Sequence, residues 1–363
     1  MASLLEYDPG LLKVLASAPD ASYVTLKELT PVIEAMMADV PRVLANQRDA
    51  FLRLQEASIM PIQTIGQPPY GQLKAGKDAQ VCIKTGYLQG DLYFVAKVAA
   101  GGGEYAGNTG MMMLFSQRTL KLEKMLLDEG LLTEIRTAAA SALASDCLMP
   151  KKVTNLALFG CGIQSIWQLR FLAALFKVRG QQLPTVQLKT RSLASSVRFI
   201  EAMKGSACAL DRNWRIVPLV NARACELIHT VTTNRGPDPL LRLSDVHPGA
   251  HITAVGADSP GKFELDLAVI DRARLCLTDS LKQTAERGEY QHYIKAQGWD
   301  EATMRASGKF EELGAFLARR SAKRPEGISI FDSSGVAVQD VAIATLAVQM
   351  YDEMRPAAAR SKL

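Results

Sequence analysis

The first stretch with a clear hydrophobic period covers residues 24–58. Apolar side chains recur there at spacings of three and four, at Ile33, Met36, Val40, Val43 and Leu44. Such spacing places them on one face of an α-helix. The segment is therefore predicted to be helical from Val24 onward.

The period changes over residues 59–120, where short apolar runs alternate with glycine-rich turns. The runs are 81–83, 92–98 and 111–115, separated by turns such as Gly101–Gly103 and Gly107–Gly110. This pattern predicts an antiparallel sheet whose glycines let backbone approach a ligand. A helix is predicted next, over residues 131–148, ending before Pro150.

From Val153 the chain alternates between strand-like and helix-like segments. The predicted strands are 154–159, 185–189, 215–218, 227–232, 251–255 and 274–278, and the predicted helical segments are 163–176, 193–204 and 221–226. This alternation is typical of a parallel sheet with crossover helices. We predict an α/β protein with a parallel-sheet domain over residues 151–326. Residues 1–150 and 327–363, including a run at 328–331 and a helix at 336–353, are assigned to a discontinuous α+β domain.

The composition is that of a globular protein, with 48% apolar and 22% charged residues among 363. The net charge of +5 is small and its basic clusters are short, which disfavours nucleic-acid binding. No apolar run approaches the roughly 18 to 20 residues of a membrane span. Six dispersed cysteines and four dispersed histidines lack metal-ligand spacing, so we expect free thiols and no metal.

The sequence ends in Ser361-Lys362-Leu363, preceded by a basic residue. This tripeptide matches the address that a peroxisomal import receptor reads in a eukaryotic host. We therefore expect a peroxisome or a related organelle, the alternative being an accidental tail on a cytoplasmic protein.

An apolar strand beginning at Asn155 runs directly into Gly160-Cys-Gly162 and then a helix. The first glycine permits a tight turn, and the second removes a side chain that would block a pyrophosphate. The helix N-terminus offers free N–H groups and a partial positive charge. This placement predicts a dinucleotide site, the alternative being merely a tight turn.

The next predicted strand ends in Lys189-Thr190-Arg191-Ser192, where an acidic residue would bind the ribose hydroxyls of NAD. Arg191 can hold a 2′-phosphate through two hydrogen bonds, and Ser192 can add another. The tip thus favours NADP over NAD, unless Arg191 is only a solvated surface side chain.

Three further side chains are candidates for the chemistry. Asp258 follows a strand that ends in Gly256, and a carboxylate there can accept a proton during hydride transfer. The alternative for Asp258 is a turn residue or helix cap. Lys97 and Arg136 stand among apolar or small residues and can bind a substrate carboxylate, or can be ordinary cations with buried stems.

Five segments, in this order, resemble the ornithine cyclodeaminase/mu-crystallin family: Arg136-Thr-Ala-Ala, Gly160-x-Gly-x-Gln164, His251 through Lys262, Glu312-Leu-Gly314 and Phe331 through Asp340. The resemblance implies a Rossmann domain holding NAD or NADP and a homodimer formed through the split domain. It also implies that the enzyme deaminates ornithine to proline, reduces cyclic ketimines, or interconverts oxo acids and amino acids.

The resemblance assigns Asp258 as the catalytic acid/base and Lys97 as a second catalytic residue. It assigns Lys97 and Arg136 to the substrate carboxylate. The cofactor-binding residues that it implies are Asn108, Gly160, Gly162, Ile163, Gln164, Thr190, Arg191, Ser192, Thr232, Val255, Gly256, Lys262 and Ser333.

Two departures from the family pattern bear on the substrate. Gln63 stands where an arginine of the family helps bind the substrate carboxylate, and a neutral amide loses about 1–3 kcal/mol of charge-assisted binding. Lys84 on the neighbouring strand either compensates or recognises another group. The basic tip at Arg191 also differs from the acidic tip of NAD-dependent ornithine cyclodeaminases.

We therefore expect an NAD(P)-dependent enzyme that reduces an imine, or dehydrogenates an amino acid, at the carbon beside a carboxylate. Its substrate would be a small amino acid or imino acid. Two alternatives stay open: ornithine cyclodeamination, and a protein that binds NADPH without catalysis.

Overall fold

The computed structural model describes residues 21–66, 80–101, 108–206, 208–234, 236–319 and 323–355. Internal contacts divide them into two units. The antiparallel-sheet unit contains described residues from 21–35, 58–130 and 344–355, and the parallel-sheet unit those from 36–57 and 131–343. The C-terminal tripeptide 361–363 and, of the two predicted glycine turns, residues 102, 103 and 107 lie outside the described residues.

Within the described residues the first sheet has seven strands, and they run in the order β1-β7-β6-β5-β4-β2, with β3 also paired to β4. Their bounds are β1 Ser22–Thr25, β2 Ala57–Ile59, β3 Gln63–Gly66, β4 Gln80–Leu88, β5 Tyr93–Gly101, β6 Asn108–Ser116 and β7 Leu122–Leu127. Strands β3 through β7 pair antiparallel, which confirms the predicted sheet, and β1 joins β7 in parallel. Alternate side chains of β4 and β5 are buried, as a sheet with one covered face requires.

The helix predicted over residues 24–58 is two helices, and the prediction is wrong at both ends, because Val24 and Thr25 belong to β1 and residues 57 and 58 to β2. The first, α1, spans Leu26–Ala38, and the second, α2, spans Val40–Leu52. Asp39 separates them and caps α2, accepting a hydrogen bond from the backbone N–H of Arg42 at 3.2 Å. Pro41 follows in the first turn of α2, where its missing N–H costs nothing but prevents continuation from α1.

The second sheet has eight strands, all parallel, in the order β10-β9-β8-β11-β12-β15-β13-β14. Their bounds are β8 Asn155–Phe159, β9 Thr185–Lys189, β10 Ile216–Pro218, β11 Leu227–Thr230, β12 His251–Ala254, β13 Leu275–Thr278, β14 Phe310–Glu312 and β15 Ser329–Asp332. The predicted α/β fold is confirmed. Strand order reverses between β8 and β11, which is the switch point where doubly wound sheets bind ligands.

Helices connect and cover these strands, with apolar clusters packed on the sheet. Their bounds are α3 Leu131–Leu148, α4 Ile163–Val178, α5 Leu193–Gly205, α6 Leu267–Arg272, α7 Leu281–Arg287, α8 Tyr290–Gln297, α9 Glu301–Ala306, α10 Leu313–Ala318 and α11 Ala337–Met354. The predicted helical segment 221–226 is only a short 3₁₀ turn, Ala222–Ala224. None of the helices in the described ranges is long and apolar enough to cross a membrane.

The last strand lies elsewhere than predicted. The sequence places residues 328–331 in the discontinuous domain, but the strand Ser329–Asp332 is fully buried inside the parallel sheet between β12 and β13. Helix α3 likewise contacts α4, β12 and β15, because its small side chains allow close packing. The parallel-sheet unit therefore includes residues 131–150 and 327–343, beyond the predicted boundaries at 151 and 326.

Candidate functional site

The glycine turn after β8 leaves the start of α4 open. Gly160 has φ of +120°, and a Cβ there would meet the Val231 carbonyl oxygen at 2.9 Å. Gly162 is the N-cap residue of α4 and offers no side-chain cap, while a Cβ at Gly162 would meet no atom within 4 Å. Free N–H groups beside open space at a switch point fit the pyrophosphate of a dinucleotide.

The two residues that follow this turn differ in role. Ile163 is 47% exposed at the start of α4, where it borders the open space. The Gln164 side chain instead turns toward α3, and its Nε2 donates to the Glu134 carbonyl at 3.0 Å and to its carboxylate at 2.5 Å. The backbone of Gln164 therefore remains the part that can take the predicted pyrophosphate role. Its side chain holds the glycine turn to α3.

The tip after β9 is basic and hydroxylated, as predicted. The Oγ of Ser192 caps α5 by accepting from the Ser195 N–H at 3.2 Å. Thr190 donates to the Ser192 carbonyl at 2.7 Å, which fixes the tip's shape. Arg191 is exposed and makes no hydrogen bond within the described residues, so its guanidinium is available to an anion.

Strands β11 and β12 end in loops joined by a carboxylate that the sequence analysis missed. The two oxygens of Glu264 accept hydrogen bonds from the backbone N–H groups of Thr232, at 2.7 Å, and Gly256, at 3.0 Å. A Cβ at Gly256 would meet the Thr232 carbonyl oxygen at 2.2 Å, so only glycine fits. Val255 precedes it, and its N–H donates to Thr230 at 3.0 Å.

Asp258 lies on the loop after β12 and is half exposed. The Lys262 ammonium lies 2.6 Å from one Asp258 carboxylate oxygen, and the Asp258 carbonyl accepts from Arg287 at 3.0 Å. Gln291 of α8 also holds this loop, accepting from the Gly261 N–H at 2.8 Å. The loop thus presents a carboxylate near the carboxyl edge of the sheet, as predicted.

Arg136 is buried on α3 and its guanidinium is partly occupied. Its Nε donates to Asp340 at 3.1 Å and its Nη1 to Gln339 at 3.4 Å, while Nη2 has no hydrogen bond within the described ranges. Gly335, at φ +83°, passes so close that a Cβ there would meet Nη1 at 2.4 Å. Asp340 thus orients the Arg136 guanidinium and leaves Nη2 for a second carboxylate.

Ser333 lies just beyond the end of β15. Its hydroxyl donates to the Asp279 carboxylate at 2.8 Å, and the same oxygen accepts from the Gly335 N–H at 2.6 Å. Ser333 is therefore a buried part of this turn at the carboxyl edge of the sheet.

The remaining candidates belong to the antiparallel-sheet unit. Lys84 on β4 lies directly opposite Lys97 on β5, and both are buried on the same face. Gln63 pairs with Ile83, so its side chain is on the opposite face from Lys84, and the structure does not bring it to the two lysines. Asn108 is exposed at the start of β6.

Buried carboxylates extend from Glu264 in a second feature that sequence reasoning missed. Glu289 accepts from the N–H groups of Glu264, at 2.7 Å, and Leu265, at 3.1 Å, and its own N–H donates to Asp332 at 3.0 Å. Burial raises the pKa of Glu264, and raises those of Glu289 and Asp332 well above the usual range. No group of three metal-ligating side chains with suitable geometry occurs in the described part of the chain.

Comparisons with known proteins show the family of this chain. Residues 105–356 match the model of the ornithine cyclodeaminase/mu-crystallin family. An uncharacterized cyclodeaminase of Sinorhizobium fredii is 34% identical over 283 residues, which are 76% of this chain and 81% of that protein.

Two solved structures share the fold. The NAD⁺ complex of the iminosuccinate reductase of Paracoccus denitrificans has a TM-score of 0.72 at 25% identity, over 92% of this chain and 97% of that chain. An archaeal alanine dehydrogenase dimer with bound NAD has a TM-score of 0.73 at 23% identity, over 91% and 95% of the two chains. The protein therefore belongs to the ornithine cyclodeaminase/mu-crystallin family, a membership that supports an NAD(P)-dependent enzyme acting on amino or imino compounds.

Proposed function

We propose that the protein uses NADP to reduce an imine, or in reverse to dehydrogenate an amino acid, at the carbon beside a carboxylate. One observation carries this proposal: an open glycine turn at the switch point has a basic tip on one side and the Asp258 loop on the other. The cofactor, when bound, supplies or accepts the hydride. The protein's own residues bind the carboxylate and move the proton.

The preference for NADP is supported by the tip after β9. Residues 189–196 contain no acidic side chain to pair with ribose hydroxyls, and the exposed Arg191 stands beside the Ser192 cap of α5. An arginine and a helix N-terminus together favour a phosphate. The relatives described above have NAD bound, so this preference distinguishes the present chain from them.

Each remaining candidate has a role in the proposed reaction. Arg136, oriented by Asp340, binds the substrate carboxylate through its Nη2, which has no hydrogen bond within the described ranges. Lys97 and Lys84, paired on the antiparallel sheet, stay predicted substrate-binding residues of their own unit. Asp258 gives a proton to the imine nitrogen during reduction and takes one from the amine during oxidation, and Lys262 holds its carboxylate in place.

Two alternatives remain open. Cyclodeamination of ornithine to proline is disfavoured by the neutral Gln63 and by the basic tip at Arg191. A binding protein without catalysis is disfavoured because Asp258, Lys97 and Arg136 are all present, and a pure binder has no need of them.

A homodimer is part of the proposal. The alanine dehydrogenase relative is a dimer, and the less buried face of the antiparallel sheet carries Phe94 and Phe115, stacked at 4.7 Å, with Met113 on the same face. An apolar face of this kind is typical of a subunit interface. Light scattering after gel filtration should give twice the mass of one chain. Import into peroxisomes stays a prediction.

Steady-state assays test the function directly. NADPH and NADH are offered with pyrroline carboxylate, piperideine carboxylate, or pyruvate plus amines, and NAD is offered with ornithine. We expect turnover with an imino substrate and NADPH. Ornithine turnover with NAD as the main activity would favour cyclodeamination, NADPH binding without any turnover would favour the binder, and preference for NADH would refute the cofactor proposal.

A further inference from the structure

Glu264 joins the carboxyl ends of two neighbouring strands. Its side chain is fully buried, and its two oxygens take the N–H groups of Thr232 and Gly256, each two residues beyond the end of its strand. No side-chain cation takes part in this pair of bonds. A carboxylate with two backbone donors is a rigid bridge, because both of its oxygens are fixed.

A second buried carboxylate holds the bridge itself. Glu289 accepts from the N–H groups of Glu264 and Leu265, and its own N–H donates to Asp332 at the end of β15. Strands β11, β12 and β15 are consecutive in the sheet, so their carboxyl ends are tied together in one series. Burying several carboxylates is costly, and such an arrangement indicates a need for precise geometry at this edge.

The position of the bridge follows from the sheet order. A dinucleotide bound as proposed would cross the switch point, and the turn after β8 would hold its pyrophosphate. The tip after β9, with Arg191, lies on the adenosine side, so the loops after β11 and β12 lie on the nicotinamide side. Thr232 and Gly256 belong to these two loops.

We propose that Glu264 is a positioning residue: it fixes the backbone at Thr232 and Gly256 so that these loops set the place of the nicotinamide half of the cofactor. This inference rests on the proposed cofactor. Glu264 acts through the two loops and does not exchange a proton with the substrate.

The sheet provides a matched control at its opposite edge. Glu226 also bridges neighbouring strands through a carboxylate, accepting from the N–H groups of Thr154, at 3.1 Å, and Asn155, at 3.0 Å. It lies at the amino ends of β8 and β11, away from the proposed cofactor. Its loss should therefore affect folding alone.

The experiment compares the full-length wild type with Glu264→Gln and Glu226→Gln. Melting temperature, the Kd of 2′,5′-ADP as a probe for the adenosine side, the Kd of NADPH, and kcat are measured for each. A glutamine can accept only one of the two N–H groups, so Glu264→Gln should weaken NADPH binding by about tenfold and leave 2′,5′-ADP binding unchanged. It should lower kcat further, because a displaced nicotinamide is poorly aligned for hydride transfer.

Glu226→Gln should change only the melting temperature. Equal NADPH affinity and kcat in wild type and Glu264→Gln would overturn the inference and leave the proposed function standing. A parallel loss of 2′,5′-ADP and NADPH binding in Glu264→Gln would also overturn it, since that is the mark of general unfolding. A wild type that binds neither NADPH nor NADH would refute both the positioning role of Glu264 and the proposed function.

If Glu264→Gln does not fold, Glu264→Asp takes its place. Aspartate keeps the charge but is one methylene shorter. This variant should also bind NADPH more weakly than the wild type and 2′,5′-ADP equally well, with a smaller loss of NADPH affinity than in Glu264→Gln. A Glu264→Asp variant whose affinities for NADPH and 2′,5′-ADP change equally, or not at all, would also overturn the positioning role.

Discussion

The Oε1 of Gln168 lies 3.0 Å from Nδ1 of His229 in the interior of the parallel-sheet unit. Burial lowers the pKa of His229 to about 3, because desolvation penalises the imidazolium, so the ring is neutral. An amide oxygen can only accept, and Nδ1 therefore carries the proton. Nε2 then accepts from Ser145 at 3.3 Å. Gln168 in turn donates to Gln164 at 3.0 Å, which connects the buried histidine to the glycine turn.

Replacing Gln168 with leucine should destabilise the protein by about 2–4 kcal/mol, because the buried N–H of His229 and the Gln164 oxygen both lose partners. Denaturant unfolding measures this loss. The double variant with His229→Leu should lose less than the sum of the single variants, because it removes the stranded donor. Additive losses would show that the two side chains do not act as a pair.

Replacing Asp258 with asparagine should lower kcat by about 10²- to 10⁴-fold, since it removes the proposed proton-transfer group. The Kd of NADPH should stay within about twofold, because Asp258 touches the substrate side and not the phosphates. Lys262→Met is the companion variant. Without the ammonium 2.6 Å from its carboxylate, Asp258 is less well oriented, so kcat should fall, but less than in Asp258→Asn. An Asp258→Asn enzyme with normal kcat would support the binder.

The alternating pattern predicts the parallel strands well but not their order. The buried runs at Asn155 and Ser329 have a strand's length and apolar content, and both are strands. Nothing in the period of Ser329–Asp332 indicates that the chain returns between β12 and β13 after forming β14. That arrangement depends on long-range packing, so the domain boundary at 326 missed it.

The residues of the candidate site could also be predicted only in part from the sequence. Gly160 and Gly162 were predictable because their roles require glycine at that point of a strand-helix turn. Glu264 and Glu289 were missed because a single acidic residue outside a motif is normally solvated, and only the fold brings backbone N–H groups to it. The one available signal at Glu264 was an acid between Phe263 and Leu265, two apolar residues beside a glycine turn.

The buried pair Lys84 and Lys97 yields a test of substrate recognition. Replacing Lys84 with methionine should raise KM for the carboxylate substrate about tenfold with kcat nearly unchanged, as expected for loss of a charge that binds ground state and transition state alike. Lys124→Met is the control. Lys124 is buried on the same face and lies 3.9 Å from Asp352, so its loss should lower the melting temperature and leave KM unchanged. Equal KM in wild type and Lys84→Met would remove Lys84 from the substrate site.

Asp332 makes stability depend on pH. Burial, the repulsion of Asp279 and that of Glu264 raise its pKa well above the usual range, although Thr284 and the Glu289 N–H donate to its Oδ2. A carboxyl with a raised folded-state pKa contributes stability that is full below its unfolded pKa, near 4, and is lost as pH rises through the folded value. The free energy of unfolding of the wild type should therefore decline as pH rises from about 4.

Asp332→Asn removes that titration, while the amide oxygen can keep the two hydrogen bonds that Oδ2 accepts. Between pH 5 and pH 9 the variant should gain about 1–3 kcal/mol relative to the wild type, measured by denaturant unfolding at each pH. Asp300→Asn is the control with the opposite sign. Asp300 is exposed, and hydrogen bonds from Thr303 lower its pKa, so this variant should be less stable than the wild type above pH 4 and approach it as pH falls below 4. Parallel pH profiles for wild type and Asp332→Asn would show that Asp332 has the same charge in the folded and unfolded protein.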